Sequence, residues 1–368
     1  MMQDIGWTPL TYRLVTGELI QIRARVDGQE CSAPPLVVRR LRLEDDTEVR
    51  QVCVGDTDRK TGYDRLDNEI LAGLRIARLM DRCGSDFSYP AQLSRLHGYD
   101  SESAEPFALL LPRRGETVDN VGRHLLPDEL LRFQLSFLEA LRWLAAAGIV
   151  HRGLSPFTVR WDSGAKQVQI TDFSLATVVG APRTVAGRPP WASPEQQIGR
   201  GSGSVTNRDD IWAAGHLLYL VVTGDRLTQT NQLARSPDLE SLLGGVFGPP
   251  DHRPSALDLL KRLPAQDPVP RGIGGDPLKA GRDRFFAIRA EKHPGATPAR
   301  YSGPDPGSPQ SPGVSSGPVF HQDPPNRPAR GGAPRGASKR RRRWPMGLAA
   351  GSLVVILALI GLMAGVVR

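Results

Sequence analysis

The 368-residue sequence predicts an α+β fold over its first 263 residues, then a disordered linker, then one C-terminal transmembrane helix. Three observations carry this. Residues 1–263 have ordinary composition and mix short strand-like apolar runs with longer segments of helical period. Residues 264–338 hold 15 prolines among many Gly and Ser, as in YSGPDPGSPQSPGVSSGP, and such a segment cannot bury enough apolar surface to offset its ordering entropy. Residues 346–367 run without a charge, about 33 Å of helix against a hydrocarbon core of about 30 Å.

The formal net charge of +8 is carried by the tail. Residues 1–263 hold 31 Lys and Arg against 33 Asp and Glu, whereas residues 264–368 hold 16 against 6. No basic stripe runs through the folded part, so no nucleic-acid partner is expected. Cys31, Cys53 and Cys83 are too few for a fully paired disulfide framework and are not spaced as a zinc site, and they read as reduced thiols. Met1–Arg23 lacks a continuous apolar run, so no secretory signal is expected there.

The elements follow in order. PPLVVRRLRL (34–43) reads as a strand, DRLDNEILAGLRIARLM (64–80) as a helix, and FALLLPRRGETV (107–118) as a strand running into a connector. Residues 128–147 place Leu131, Leu135, Leu138 and Leu141–Trp143 at helical spacing, with Asp128 as N-cap and Gly148 as C-cap. Ile149-Val150 leads into His151-Arg152-Gly153-Leu154-Ser155-Pro156-Phe157-Thr158. A strand at Gln167–Ile170 leads into Thr171-Asp172-Phe173-Ser174. Then come Trp191-Ala192-Ser193-Pro194-Glu195-Gln196, the helical segment DDIWAAGHLLYLVVTG (209–224), and His252-Arg253-Pro254-Ser255 opening a last amphipathic helix.

In order and spacing these motifs resemble the eukaryotic-type Ser/Thr protein kinases of the bacterial receptor kind. His151–Thr158 lines up with the H-R-D-L-K-P-x-N catalytic loop, Asp172–Ser174 with D-F-G, and Ser193–Glu195 with A-P-E. Asp210, Trp212 and Gly215 match the family's D-x-W-x-x-G helix, and Arg253 matches the Arg that pairs with the A-P-E Glu. The resemblance implies a two-lobed protein-kinase-like domain over residues 1–263, with an N-lobe at about 12–112 and a C-lobe at about 113–263. It puts Arg39 at the strand Lys, Glu69 at the Glu of the regulatory helix, and the glycine-rich loop between about Leu14 and Arg25.

The departures bear on function. The catalytic Asp position is Gly153, the loop Lys is Ser155, the metal-binding Asn is Thr158, and LVTGELIQIR has a single glycine to cover phosphates. Loss of a general base alone costs about 10²–10⁴ in rate. The resemblance therefore implies a pseudokinase that requires no cofactor. ATP and Mg²⁺ would meet only Asp172 and Glu69, with Asp172 as the metal ligand. The blander roles are that Asp172 orders its turn and that Glu69 is solvated or salt-bridged to Arg39. His151, Arg152, Phe173, Glu195, Asp210 and Arg253 are structural positions in this family. Lys60, the only lysine before Lys166, reads as a loop residue rather than a displaced catalytic lysine, and Thr184 as a loop residue rather than a phosphosite. The alternative is an atypical kinase that transfers phosphate from ATP to protein hydroxyls.

At the other end, the basic flank at residues 339–345, with Lys339–Arg343 ahead of Trp344-Pro345, predicts that the preceding chain stays cytoplasmic and that 346–367 is a single-pass anchor in the cell membrane. Gly347-x-x-x-Gly351 and Gly361-x-x-x-Gly365 share roughly one helix face, which suits a homodimer through the span. The protein partners expected are an active Ser/Thr kinase or a phosphopeptide-binding protein.

Overall fold

Residues 7–54 form four antiparallel strands because they alternate apolar and polar side chains, broken only at short turns. The computed structural model describes residues 6–273 except 31, 33, 122–124 and 199–202, together with Arg284 and Ala287. Strands β1 (Trp7–Leu14), β2 (Leu19–Glu30), β3 (Leu36–Leu43) and β4 (Glu48–Val54) precede helix α1 (Arg59–Cys83), and β5 (Leu96–Asp100) and β6 (Phe107–Leu110) follow it. The six strands close into a barrel in the order β1-β2-β3-β4-β6-β5.

Closure is made by β1 on β5, with Arg13 opposite Tyr99 and Leu14 opposite Gly98. Gly98 is required there, since a Cβ would lie 2.4 Å from the Tyr12 ring and 2.8 Å from the Arg13 carbonyl oxygen. One face of the sheet packs Leu36, Val38, Val52, Ala108 and Leu110 against Leu66 and Ile70 of α1. The other face fills the barrel with Tyr12, Leu41, Leu43, Val49, Phe107 and Leu109.

The expected strand at 34–43 is present, but it is not the strand that enters the helix: β4 lies between them. The helix itself is longer than 64–80 and starts at Arg59, with Asp58 accepting a bond from the Thr61 amide at 3.3 Å. Lys60 is exposed in its first turn.

After β6 the chain forms β7 (Glu116–Thr117) and α2 (Val118–Val121), and then α3 (Pro127–Ala146), the central helix of the larger lobe. The helix begins one residue before Asp128. The cap is Leu126, whose amide donates to Glu129 Oε2 at 3.0 Å, while Asp128 pairs with Lys166 at 2.9 Å. Leu131 is exposed rather than core, because the buried stripe runs through Phe133, Phe137, Leu138, Leu141 and Leu144. Gly148 follows the end of the helix at φ +65°, as a left-handed C-terminal glycine.

Strands β8 (Ile149–Val150), β9 (Val159–Asp162), β10 (Gln167–Ile170) and β11 (Thr177–Val178) frame the next loops. Helices α4 (Pro194–Ile198), α5 (Arg208–Thr223), α6 (Pro237–Leu243) and α7 (Ala256–Arg262) complete the lobe. Ser255 caps α7, accepting from the Asp258 amide at 3.2 Å. Packing continues past residue 263: Val269 is buried and Asp267 pairs with Arg142 at 2.9 Å.

No helix among the described residues is long and apolar enough to cross a membrane. The expected span at 346–367, its basic flank and most of the Pro-rich linker lie outside the described residues.

Candidate functional site

The site is the cleft between the barrel with α1 and the helical lobe, and the 151–158 loop is its floor. Asp210, buried at the start of α5, accepts the amides of His151 at 2.6 Å and Arg152 at 2.8 Å. Burial pushes Asp210 up to about 7, against those two donors. Arg152 is held at φ +62°, and its guanidinium donates to the Thr184 hydroxyl at 2.9 Å and also to the Thr184 carbonyl. Thr184 is thus an exposed loop residue tied to Arg152.

The His151 imidazole accepts the Gly153 amide at Nδ1 (3.2 Å), so its Nε2–H donates to the Thr171 carbonyl at 3.1 Å. Burial pushes this imidazole below its ordinary value, against the charge of Asp172. Its ring packs on Phe173 with centroids 5.1 Å apart. The two motifs therefore meet through this apolar contact, the His151 bond, and two bonds that the Thr171 amide and hydroxyl donate to the Thr158 carbonyl at 2.8 and 3.1 Å.

The remaining loop polar groups bond one another. Thr158 Oγ1 accepts the Ser155 amide at 2.9 Å and donates to the Gly153 carbonyl at 3.1 Å. Ser155 Oγ accepts the Phe157 amide at 3.3 Å. Gly153 has no side chain to offer, yet its backbone does not demand glycine. The one tight neighbour of a Cβ would be Leu175 Cδ1 at 3.3 Å, the far end of a flexible side chain, with His151 Nδ1 and Leu175 Cβ at an ordinary 3.6 Å, and its φ is not positive.

Asp172 is exposed at φ +67° and accepts the Ser174 amide at 3.3 Å. Glu69 of α1 faces it. Burial and the Asp172 charge push the Glu69 carboxyl up to about 8, while Arg50, the Phe173 amide and Arg113 act the other way. Glu69 Oε1 is buried with no hydrogen-bond partner. No ion pair joins Glu69 to Arg39 among the described residues.

Arg39 is not where the sequence put it. Along β3, Leu36 and Val38 pack toward α1, and Leu41 and Leu43 point into the barrel. Arg39 has the second parity, is exposed, and neighbours Cys53, whose thiol burial pushes up to about 11 against the Arg39 charge. The residue that reaches the cleft is Arg50 of β4, on the parity of Val52 and Val54 beside α1. Arg50 is 4% exposed, and its Nε donates to both oxygens of Glu30, at 3.1 and 2.9 Å. Sequence reasoning missed it because an arginine in EVRQVCV reads as solvent-facing. The available signal was the alternation of that segment and the turn residues Asp45-Asp46 before it.

Two more arginines enter the cleft. Arg113 Nη1 lies 3.5 Å from Glu30 Oε2. Arg160 of β9 donates to the carbonyls of Arg114 at 3.1 Å and Gly115 at 2.6 Å. The β1–β2 connection, expected to supply a phosphate-covering loop, is a tight turn in which Leu14 N–H donates to the Glu18 carbonyl at 2.8 Å. A nucleotide with two metal ions does not fit this donor set. Only one carboxylate of the set, Asp172, is exposed, and the Thr158 hydroxyl is used within its loop.

Farther from the cleft, Glu195 and Arg253 form a buried bidentate pair, with Nη2 3.0 Å from Oε2. Arg253 also donates to the Gly248 carbonyl at 3.0 Å and lies over the Trp212 ring. Burial works against ionisation of Glu195, but the Arg253 bonds prevail and hold its carboxyl below the usual range.

Residues 114–271 match the family described as the protein kinase domain. A probable serine/threonine-protein kinase of Streptomyces coelicolor is 35% identical over 109 residues, 28% of this chain and 16% of that protein. Serine/threonine-protein kinase Pkn1 of Myxococcus xanthus is 35% identical over 113 residues, again 28% and 16%. An inactive serine/threonine-protein kinase, PLK5 of Mus musculus, is 33% identical over 159 residues, 41% of this chain and 25% of that protein. The matched segments thus span a quarter or less of these relatives' length.

Proposed function

From the premise that this chain is a protein kinase family member by its residues 114–271, we propose that it is a pseudokinase, a kinase-fold domain that acts by binding rather than by phosphotransfer. The observation that carries this reading is the floor of the cleft. No carboxylate stands at Gly153 to accept a hydroxyl proton, and the Ser155 and Thr158 hydroxyls are engaged within their own loop. Losing the general base costs about 10²–10⁴, and mispositioned phosphates and metal lower the rate further, though not additively. From a family turnover of about 1–100 per second, little remains.

What the fold retains serves rigidity. Asp210 holds the loop backbone and Arg253 anchors Glu195, so the surface is well ordered without catalysis. In this proposal the surface is a scaffold or regulator for an active Ser/Thr kinase or a phosphopeptide-binding protein. The linker 264–338 is a flexible tether, and 346–367 anchors the chain in the cell membrane with the domain on the cytoplasmic side. The small-residue face of the span supports a homodimer.

The test is incubation of the purified full chain with labelled ATP, Mg²⁺ and a generic basic protein substrate, beside Asp172→Asn. Equal background in both is expected. Label that depends on Asp172 would replace this proposal with the atypical-kinase reading.

A further inference from the structure

The cleft holds a concentration of positive charge that the pseudokinase reading does not use. Arg50 on β4 and Arg113 after β6 flank Glu30, the last residue of β2, and Arg160 on β9, which donates to the Arg114 and Gly115 carbonyls, adds a third charge felt by Arg50 and Glu30. Burial, with the Arg50 charge adding to it, drives the Arg113 and Arg160 guanidinium groups below their ordinary range, while Glu30 opposes this in both. Arg113 Nε is buried and has no hydrogen-bond partner.

Clustered, partly desolvated guanidinium groups are costly without an anion among them, and the planar fork of arginine suits carboxylate and phosphate oxygens. Four carboxyls face the cluster from the elements around it: Glu30, Glu69, Asp172 and, beside Arg160, Glu116 of β7, which is exposed and makes no ion pair with Arg160 among the described residues. Glu69 is pushed toward its neutral form and Asp172 is solvent-exposed. Neither makes an ion pair with these arginines among the described residues. Only Glu30 does, bonded by Arg50 Nε at 2.9 and 3.1 Å and flanked by Arg113 at 3.5 Å.

We propose that Arg50, Arg113 and Arg160 form a phosphate-type anion site whose resident anion is Glu30, so that the native chain shuts this site to phosphate-bearing ligands. The strand carboxylate occupies the position that a phosphate oxygen would take between the guanidinium groups. Removing it leaves a vacant, strongly positive pocket at the mouth of the cleft. This inference goes beyond the proposed function and does not depend on it. A chain without phosphotransfer could still bind nucleotide, so the binding test below can fail while the transfer assay stands, and the reverse.

The experiment uses the purified full chain as wild type, Glu30→Ala, Glu30→Ala/Arg50→Gln and Glu30→Ala/Arg160→Gln. Thermal melts are followed with inorganic tripolyphosphate, ATP without Mg²⁺, adenosine, and acetate, the last replacing the deleted side-chain carboxylate. Chloride at matched ionic strength is the reference. Specific binding to the folded state raises the melting temperature by mass action. The wild type should be unmoved by about 5 mM tripolyphosphate, and Glu30→Ala should rise saturably by several degrees.

ATP should act like tripolyphosphate, acetate should act more weakly, and adenosine should do nothing. The response should be lost with Arg50→Gln and fall at least about threefold with Arg160→Gln, and it should weaken as salt is raised. Should Glu30→Ala lack a cooperative melt in buffer, tripolyphosphate must restore one. A wild type that responds as strongly as Glu30→Ala would overturn the proposal. So would a Glu30→Ala chain that neither binds nor is rescued, or a response that adenosine alone reproduces.

Discussion

Replacing Arg253 by methionine keeps much of the side chain's volume and removes its charge. In the native chain the guanidinium is 2% exposed and satisfied on several sides: by both Glu195 oxygens, by the Gly248 carbonyl and by the Arg208 carbonyl at 3.2 Å. The substitution leaves the Glu195 carboxylate buried without its counter-ion, and breaking a buried pair in this way costs about 3–5 kcal/mol. At about 2–4 °C per kcal/mol for a domain of this size, the melting temperature should drop by about 6–20 °C.

The loss should also depend on pH. In the wild type Glu195 titrates below its unfolded value of 4.5, so its contribution is fully present above that value and disappears as pH falls through the folded value. In Arg253→Met burial still raises Glu195 and is opposed only by its bonds to the Glu195 backbone and to Ser193, so its folded value rises above that of the wild type, and the variant regains stability as pH falls from 7 toward 5. Urea melts at pH 7 and pH 5 measure the gap directly. A gap under about 1 kcal/mol at pH 7, or one that does not narrow at pH 5, would refute the reasoning, because the pair would then not be worth a buried ion pair.

Three further outcomes are expected. Glu69 is raised from 4.5 to about 8, so the folded state keeps a proton that the unfolded chain has lost between those values; wild-type stability should fall as pH rises across that window, and Glu69→Gln should flatten the slope by up to about 1.4 kcal/mol per pH unit, read from urea melts at pH 5–9. Arg39→Gln should leave the unfolding free energy within about 0.5 kcal/mol of wild type in urea melts while Arg50→Gln costs several times more, and the reverse order would restore Arg39 to the cleft. Gly153→Ala should cost no more than about 1 kcal/mol in denaturant melts, since only the tip of Leu175 must yield, and a loss above about 2 kcal/mol would mean that the loop needs glycine there.

The helical lobe was largely legible. Strand Gln167–Ile170, the 209–224 helix and its Gly224 stop, and the meeting of Asp210 with the 151–152 backbone all depend on short-range patterns or on motif residues with one structural use. The barrel was not. Its closure depends on a close approach at Gly98, and nothing local distinguishes that glycine from one in a loop. The buried Arg50 disguised β4, and overlooking that strand assigned the cleft cation to Arg39, on the wrong face of the neighbouring strand.

Residues 30, 50, 113 and 160 are scattered along the chain; strand register places 30, 50 and 160, and Arg113 arrives on the connector after β6. Leu131 was misplaced for a simpler reason. The first turns of α3 carry leucines on more than one face, and the choice of buried face is made by packing rather than by period.

The central claim, a kinase fold without phosphotransfer, is tested most directly by ADP formation, which counts turnover whatever the acceptor. The full chain in excess over ATP and Mg²⁺, followed for hours beside Asp172→Asn, should release ADP at the same background rate in both proteins. A rate in the native chain that exceeds the variant's, rises with chain concentration and saturates with ATP would contradict the claim, and it would mean that a base other than residue 153 serves the cleft.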